Sequence, residues 1–156
     1  MRPSAVFFIL IIMSLSSCMD NYGICDIDRS VSMQGKFYGR SGTQEVLQAA
    51  PSFSLTQLNP NTAVLYSQQP NQPGFGSLLT PAVDTLNYEI RFSQTLQPDT
   101  FRVVYTSQLH NVSTECGTIT IYHISNMLYT KHTLDSIAVI EPDVSNTTGQ
   151  NLKLYF

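Results

Sequence analysis

The 156-residue chain has no tryptophan, three cysteines and three histidines, and charged residues make up only 12% of it. Each scarcity argues against a class of function. Sparse charge leaves few acid and base pairs for catalysis, and G-x-S-x-G, H-E-x-x-H, P-loop and G-x-G-x-x-G patterns are all missing. No catalytic residue and no cofactor is therefore expected. A formal net charge of −3 without a basic run argues against nucleic acid as a partner. His110, His123 and His132 lack metal-ligand spacing, and Asp26-Ile27-Asp28 lacks the glycine and glutamate of an EF-hand, so no metal is expected. Without tryptophan, a glycan platform has to be built from tyrosine or phenylalanine faces.

What is present begins with the leader. Arg2 gives a positive start, and residues 5–15 (AVFFILIIMSL) form an apolar run. That run suits a secretory signal and falls short of the roughly 20 residues a membrane-spanning helix needs. It ends in Leu15-Ser16-Ser17-Cys18, which resembles a bacterial lipobox. The resemblance implies removal of residues 1–17 and lipid on Cys18, followed by a tether over residues 18–30. Several acyl chains anchor stably where one is marginal. With Cys18 occupied, Cys25 and Cys116 remain as an even pair in an oxidising compartment, and a disulfide between them is expected. Glu115 beside Cys116 opposes thiolate formation, which argues against redox or nucleophilic work by that thiol.

Beyond residue 30 the chain reads as strands. In Thr85-Leu86-Asn87-Tyr88-Glu89-Ile90-Arg91-Phe92 the apolar residues alternate with polar ones, as a half-buried strand requires. Gln97-Pro98-Asp99 then turns the chain into residues 101–106, which predicts a hairpin. Weaker runs lie at residues 31–38, 53–58, 63–67, 118–124, 128–131, 137–140 and 151–156. Residues 44–49 suggest at most one helical turn. About nine strands and no long helical stripe predict one all-β domain over 31–156. The expected form is an antiparallel β-sandwich, immunoglobulin-like in general shape, with a closed barrel as the alternative. Most aromatic residues, including Tyr88, Phe92, Phe101 and Tyr105, fall on core-facing positions. Residues 68–76 (QQPNQPGFG) read as an exposed loop with Phe75 at its tip, a candidate binding residue, and Tyr22 reads as exposed.

Several segments together resemble a family of uncharacterised lipoproteins of the Bacteroides group, classed as a domain of unknown function. They are Cys18 followed by Cys25, then Gly35-Lys36-Phe37-Tyr38, Thr114-Glu115-Cys116-Gly117, Thr133-Leu134-Asp135-Ser136-Ile137, and the end Asn151-Leu152-Lys153-Leu154-Tyr155-Phe156. The resemblance implies an envelope location and a compact β domain, and supplies no catalytic residue. Asp84-Thr85-Leu86 and Asp135-Ser136-Ile137 also resemble the O-glycosylation motif of such cells, which marks Thr85 and Ser136 as candidate modification sites. The expected function is a lipid-anchored, non-enzymatic interaction or structural module, attached to the membrane through its N-terminal lipid and placed at the outer membrane. Its partner is an envelope protein or a glycan. The alternative is a small ligand- or glycan-binding lipoprotein.

Overall fold

The computed structural model describes residues 25, 27–114 and 116–156. Among them are eleven strands and no helix: β1 (Ser32–Ser41), β2 (Gln44–Leu47), β3 (Ala50–Gln57), β4 (Ala63–Gln72), β5 (Gly74–Leu78), β6 (Thr85–Arg91), β7 (Asp99–Ser113), β8 (Gly117–Tyr129), β9 (Ser136–Val139), β10 (Asp143–Val144) and β11 (Leu152–Tyr155). They form two sheets. The smaller runs β2-β1-β11-β9, with β5 also paired to β1, and the larger runs β10-β8-β7-β6-β3-β4. The sheets pack face to face as a β-sandwich, and neither closes into a barrel. All strand pairs are antiparallel except β1 with β11.

Period-two alternation fills the space between the sheets. Met33 and Phe37 of β1, Leu86, Tyr88 and Ile90 of β6, and Leu152 and Leu154 of β11 are fully buried. Phe37 lies near the centre of the aromatic core. Its ring meets Phe53 at 5.2 Å, Phe92 at 5.5 Å and Phe156 at 5.9 Å, each edge to face, the arrangement the ring quadrupoles favour. Between the sheets, the hydroxyls of Ser77 and Tyr88 share a hydrogen bond of 2.8 Å, and Tyr88 stacks on Phe101 at 4.9 Å. Burial pushes the Tyr88 phenol up to about 12, so it stays neutral as the apolar surroundings require.

The β6–β7 hairpin forms as expected, with Leu86 opposite Val103 and Tyr88 opposite Phe101. The runs at 118–124 and 128–131 are parts of one strand. β8 shifts register between Ile124 and Asn126, and the hydroxyl of the extra residue, Ser125, donates to the Val104 carbonyl at 3.1 Å. That bulge breaks the alternation that a single strand would otherwise display.

Two expectations are corrected. Residues 44–49 do not form a helical turn, because pairing with β1 draws Gln44–Leu47 into β2. Residues 68–76 are not a free loop. β4 continues to Gln72 on the edge of the larger sheet; the chain then crosses at Pro73 and continues as β5 in the smaller one. Phe75 is consequently buried, with 4% exposure, and does not stand exposed at a loop tip. Its register partner is Gly35, and a Cβ on Gly35 would stand 2.6 Å from the Phe75 ring. The missing side chain of Gly35 makes the space that Phe75 fills.

Candidate functional site

The parallel pairing of β1 and β11 brings together two segments more than a hundred residues apart. Gly35 sits opposite Leu152, Lys36 opposite Lys153, Phe37 opposite Leu154 and Tyr38 opposite Tyr155. Asn151 locks this register from a fully buried position. Its side-chain oxygen accepts from the Gln34 backbone N–H at 3.0 Å, and its own backbone N–H donates to the Gln34 carbonyl at 2.8 Å. Its amide nitrogen donates to the carbonyls of Glu141 and Asp143. With every polar atom of the side chain satisfied, the residue costs little to bury and fixes one pairing.

Since Phe37, Leu152 and Leu154 point inward, Lys36, Tyr38, Arg40, Lys153 and Tyr155 project from the opposite, outer face of the smaller sheet. There the two tyrosine rings lie 5.9 Å apart. The Lys153 ammonium stands 5.0 Å from the Tyr38 ring centre and the Arg40 guanidinium 5.1 Å from that of Tyr155, both within cation–π range. Glu45 of β2 closes the group, accepting from Lys153 Nζ at 2.6 Å and from the Tyr155 hydroxyl at 2.7 Å. The hydrogen bond from Lys153, with that from Tyr155 behind it, holds the Glu45 carboxyl below its ordinary range. The bond to Glu45 in turn raises Lys153. Beside Tyr38, on β2, Leu47 is 52% exposed. The result is a row of Leu47, Tyr38 and Tyr155 with cations on both sides of it.

A second polar centre serves the fold. Asp99 is sealed from solvent at the start of β7, and its carboxylate accepts from the backbone N–H groups of His132, Thr133 and Leu134 at 2.7–2.8 Å and from the Thr130 hydroxyl at 2.8 Å. Desolvation would raise its pKa, but these four donors together outweigh it and leave the carboxyl below the ordinary aspartate value. The third polar pair is His123 Nδ1 with Asp143 Oδ1, 2.6 Å apart and exposed on both sides. Among the described residues no hydroxyl is hydrogen-bonded to that ring, so no nucleophile completes a triad.

Of the candidates read from sequence, Cys25 and Cys116 are joined as a disulfide, with Cα atoms 5.0 Å apart. The Cys116 end of the crosslink lies in the turn between β7 and β8. Thr85 and Ser136 open β6 and β9, both half-buried. Ser136 pairs in register with Tyr155 and so borders the tyrosine row; Thr85 lies on the other sheet. Cys18, Tyr22, Asp26 and Glu115 lie outside the described residues. Among described residues, no group of three or more His, Cys, Asp or Glu is placed to hold a metal. Reading by strand misses the outer-face cluster as a site. Lys36, Tyr38 and Arg40 alternate visibly along β1, but their partners on β11 are set by a pairing that spans nearly the whole chain.

No curated protein and no solved structure matches the chain. One family model does, over residues 56–156, a stretch that includes Asp99, Cys116, Lys153 and Tyr155 and leaves out β1 and β2. On that match, which covers well over half its length, the chain belongs to a family of unknown function (DUF6452).

Proposed function

We propose that the chain is a lipid-anchored interaction module of the bacterial cell envelope, of the Bacteroides lipoprotein kind, and that it binds without catalytic turnover. The observation that carries this reading is the Cys25–Cys116 crosslink. It holds the segment after the lipobox against one end of the sandwich. Asn146 Nδ2 donates to the Asp28 carbonyl at 2.9 Å and Arg29 donates to the Thr118 carbonyl at 3.4 Å beside it. With lipid on Cys18, about seven residues, or at most roughly 25 Å, separate membrane from domain. Such a short tether suits a domain that works at the membrane surface. The buried acid Asp99 is committed to holding a turn, which supports the non-enzymatic reading. Lys36 and Arg40, exposed beside the half-buried Tyr38 with Tyr155 buried behind them, favour a binding role over a purely structural one.

Intact-mass analysis of protein extracted from outer membranes tests the anchor. The expected mass lacks residues 1–17 and carries an acyl increment, and a Cys18→Ala form that stayed membrane-bound would refute it. The same preparation, mapped as peptides, reads the proposed glycans on Thr85 and Ser136; both hydroxyls bare would remove that part. Hydrolysis of esters, glycosides or peptides at a rate abolished by His123→Ala would overturn the absence of turnover.

A further inference from the structure

We propose that the outer face of the smaller sheet binds an extended acidic glycan, with sugar carboxylates on Lys36 and Arg40 and a sugar ring laid on Tyr38 and Leu47. The proposal rests on the interaction-module reading and adds the chemistry of the partner.

Charge points to an anion. The chain is net negative, yet this face gathers Lys36, Arg40 and Lys153, three of its eight lysines and arginines, against Glu45 alone. Glu45 is taken up by Lys153 and Tyr155. Among the described residues neither Lys36 nor Arg40 is in an ion pair; Lys36 stands exposed, and Arg40, which lies on the Tyr155 ring and opposite Glu45, shares that carboxylate with Lys153 and so keeps its charge only partly offset. Lys36 and Arg40 lie four residues apart on one face of β1, about 13 Å, with Tyr38 midway. A ligand carrying anionic groups at that separation with a flat body between them matches this row.

The flat body is best a sugar. The C–H face of a pyranose is apolar and weakly positive, and it rests favourably on an electron-rich tyrosine face; the exposed Leu47 beside Tyr38 widens that floor. An acidic peptide fits less well. Extended peptides dock by adding to a free strand edge or by entering a groove. Both edges of β1 are taken, by β11 on one side and by β5 and β2 end to end on the other.

The position of the row distinguishes a glycan from a lipid headgroup. β1 starts at Ser32, near the segment that the disulfide holds down, and runs away from it. Arg40 lies eight residues further along, about 26 Å from that end. The row is thus directed away from the tethered end, towards what lies beyond the membrane surface.

The test uses full-length protein in detergent, titrated with polygalacturonate, dextran and polyglutamate and mixed with vesicles containing an anionic phospholipid. Polygalacturonate is expected to bind, more weakly as salt rises, and dextran is not. Lys36→Ala with Arg40→Ala lowers the affinity about tenfold or more, and Tyr38→Ala has an effect of the same order. Arg91→Ala with Arg102→Ala, on the other sheet, leaves it unchanged. Equal binding by the Lys36/Arg40 double variant means that the face is misassigned while a binding module stands. Tighter binding of polyglutamate or of vesicles replaces the glycan by an acidic peptide or a lipid surface and overturns the proposal. No binding of polygalacturonate overturns it as well. An independent crosslinked pull-down from native envelopes that returned no specific partner would instead bring down the module reading beneath it.

Discussion

Asp99 places a carboxylate where no water reaches it and holds it there with four donors from the turn after β8. Replacing it by Asn keeps the size but turns an amide donor towards backbone N–H groups that need an acceptor. Asp99→Asn is expected to cost about 2–4 kcal/mol of unfolding free energy at neutral pH. The sign of the pH dependence follows from the lowered carboxyl pKa. Stability contributed by a depressed acid is fully present above its ordinary value of 3.8 and is lost as pH falls through the folded value below it. Denaturant unfolding of both forms at neutral pH and near pH 2 should therefore show the gap between them shrinking in acid. A gap that stayed constant would mean that the charge of Asp99 contributes nothing. In the sequence, Asp99 is legible only as a turn residue after Gln97-Pro98. Its partners stand 31 to 35 positions later, in another turn, and no local pattern announces them.

β6 was legible along its length, β4 only over its first residues, and β2 and β5 were missed. β6 alternates because Leu86, Tyr88 and Ile90 all face the core. β4 is exposed along most of its length, with Val64 65% accessible, so period two disappears beyond its first residues. β5 is held in place by remote features. A Cβ on Gly74 would meet the Gly35 carbonyl oxygen at 2.1 Å, so only glycine permits the approach of β5 to β1. Gly76 has its free edge closed by one side chain: its backbone N–H donates to the Tyr66 hydroxyl at 2.9 Å, and that hydroxyl donates back to the Gly76 carbonyl at 3.2 Å. The phenol thus does the work of a missing neighbouring strand and blunts an edge that could pair with another chain. Tyr66→Phe keeps the ring contact with Phe53 and removes only that cap. It is expected to cost about 1–2 kcal/mol and to speed hydrogen exchange at the Gly76 amide. Unchanged exchange there would show that the cap is not needed.

For the molecule as a whole, the sandwich followed from alternation and turn spacing, and the disulfide from counting cysteines. The outer-face row of Tyr38 and Tyr155 followed from neither, because it exists only once the two ends of the domain pair in parallel. The crosslink joins residues 91 apart, and the chain-entropy argument gives about 4.6 kcal/mol for a loop of that size, an upper figure. Its removal should nonetheless leave the sandwich folded. β1 begins at Ser32, beyond the crosslinked segment, and its inward residues Met33 and Phe37 are fully buried without help from Cys25. Cys25→Ser is therefore expected to lower the denaturant midpoint while keeping the near-ultraviolet signal of a packed aromatic core. Trypsin should then cut at Arg29, whose contact with Thr118 is a single long hydrogen bond. With the lipid proposed on Cys18, freed residues 25–31 would about double the length of chain between anchor and β1. The binding proposed at Lys36 and Arg40, along the middle and far end of β1, should keep its affinity, since with the proposed anchor only the distance to the membrane has changed. An unchanged midpoint would show that the crosslink does not stabilise the domain. Lost affinity for polygalacturonate in Cys25→Ser would show that the two ends of β1 are coupled, against the separation of anchor and binding face argued from the fold.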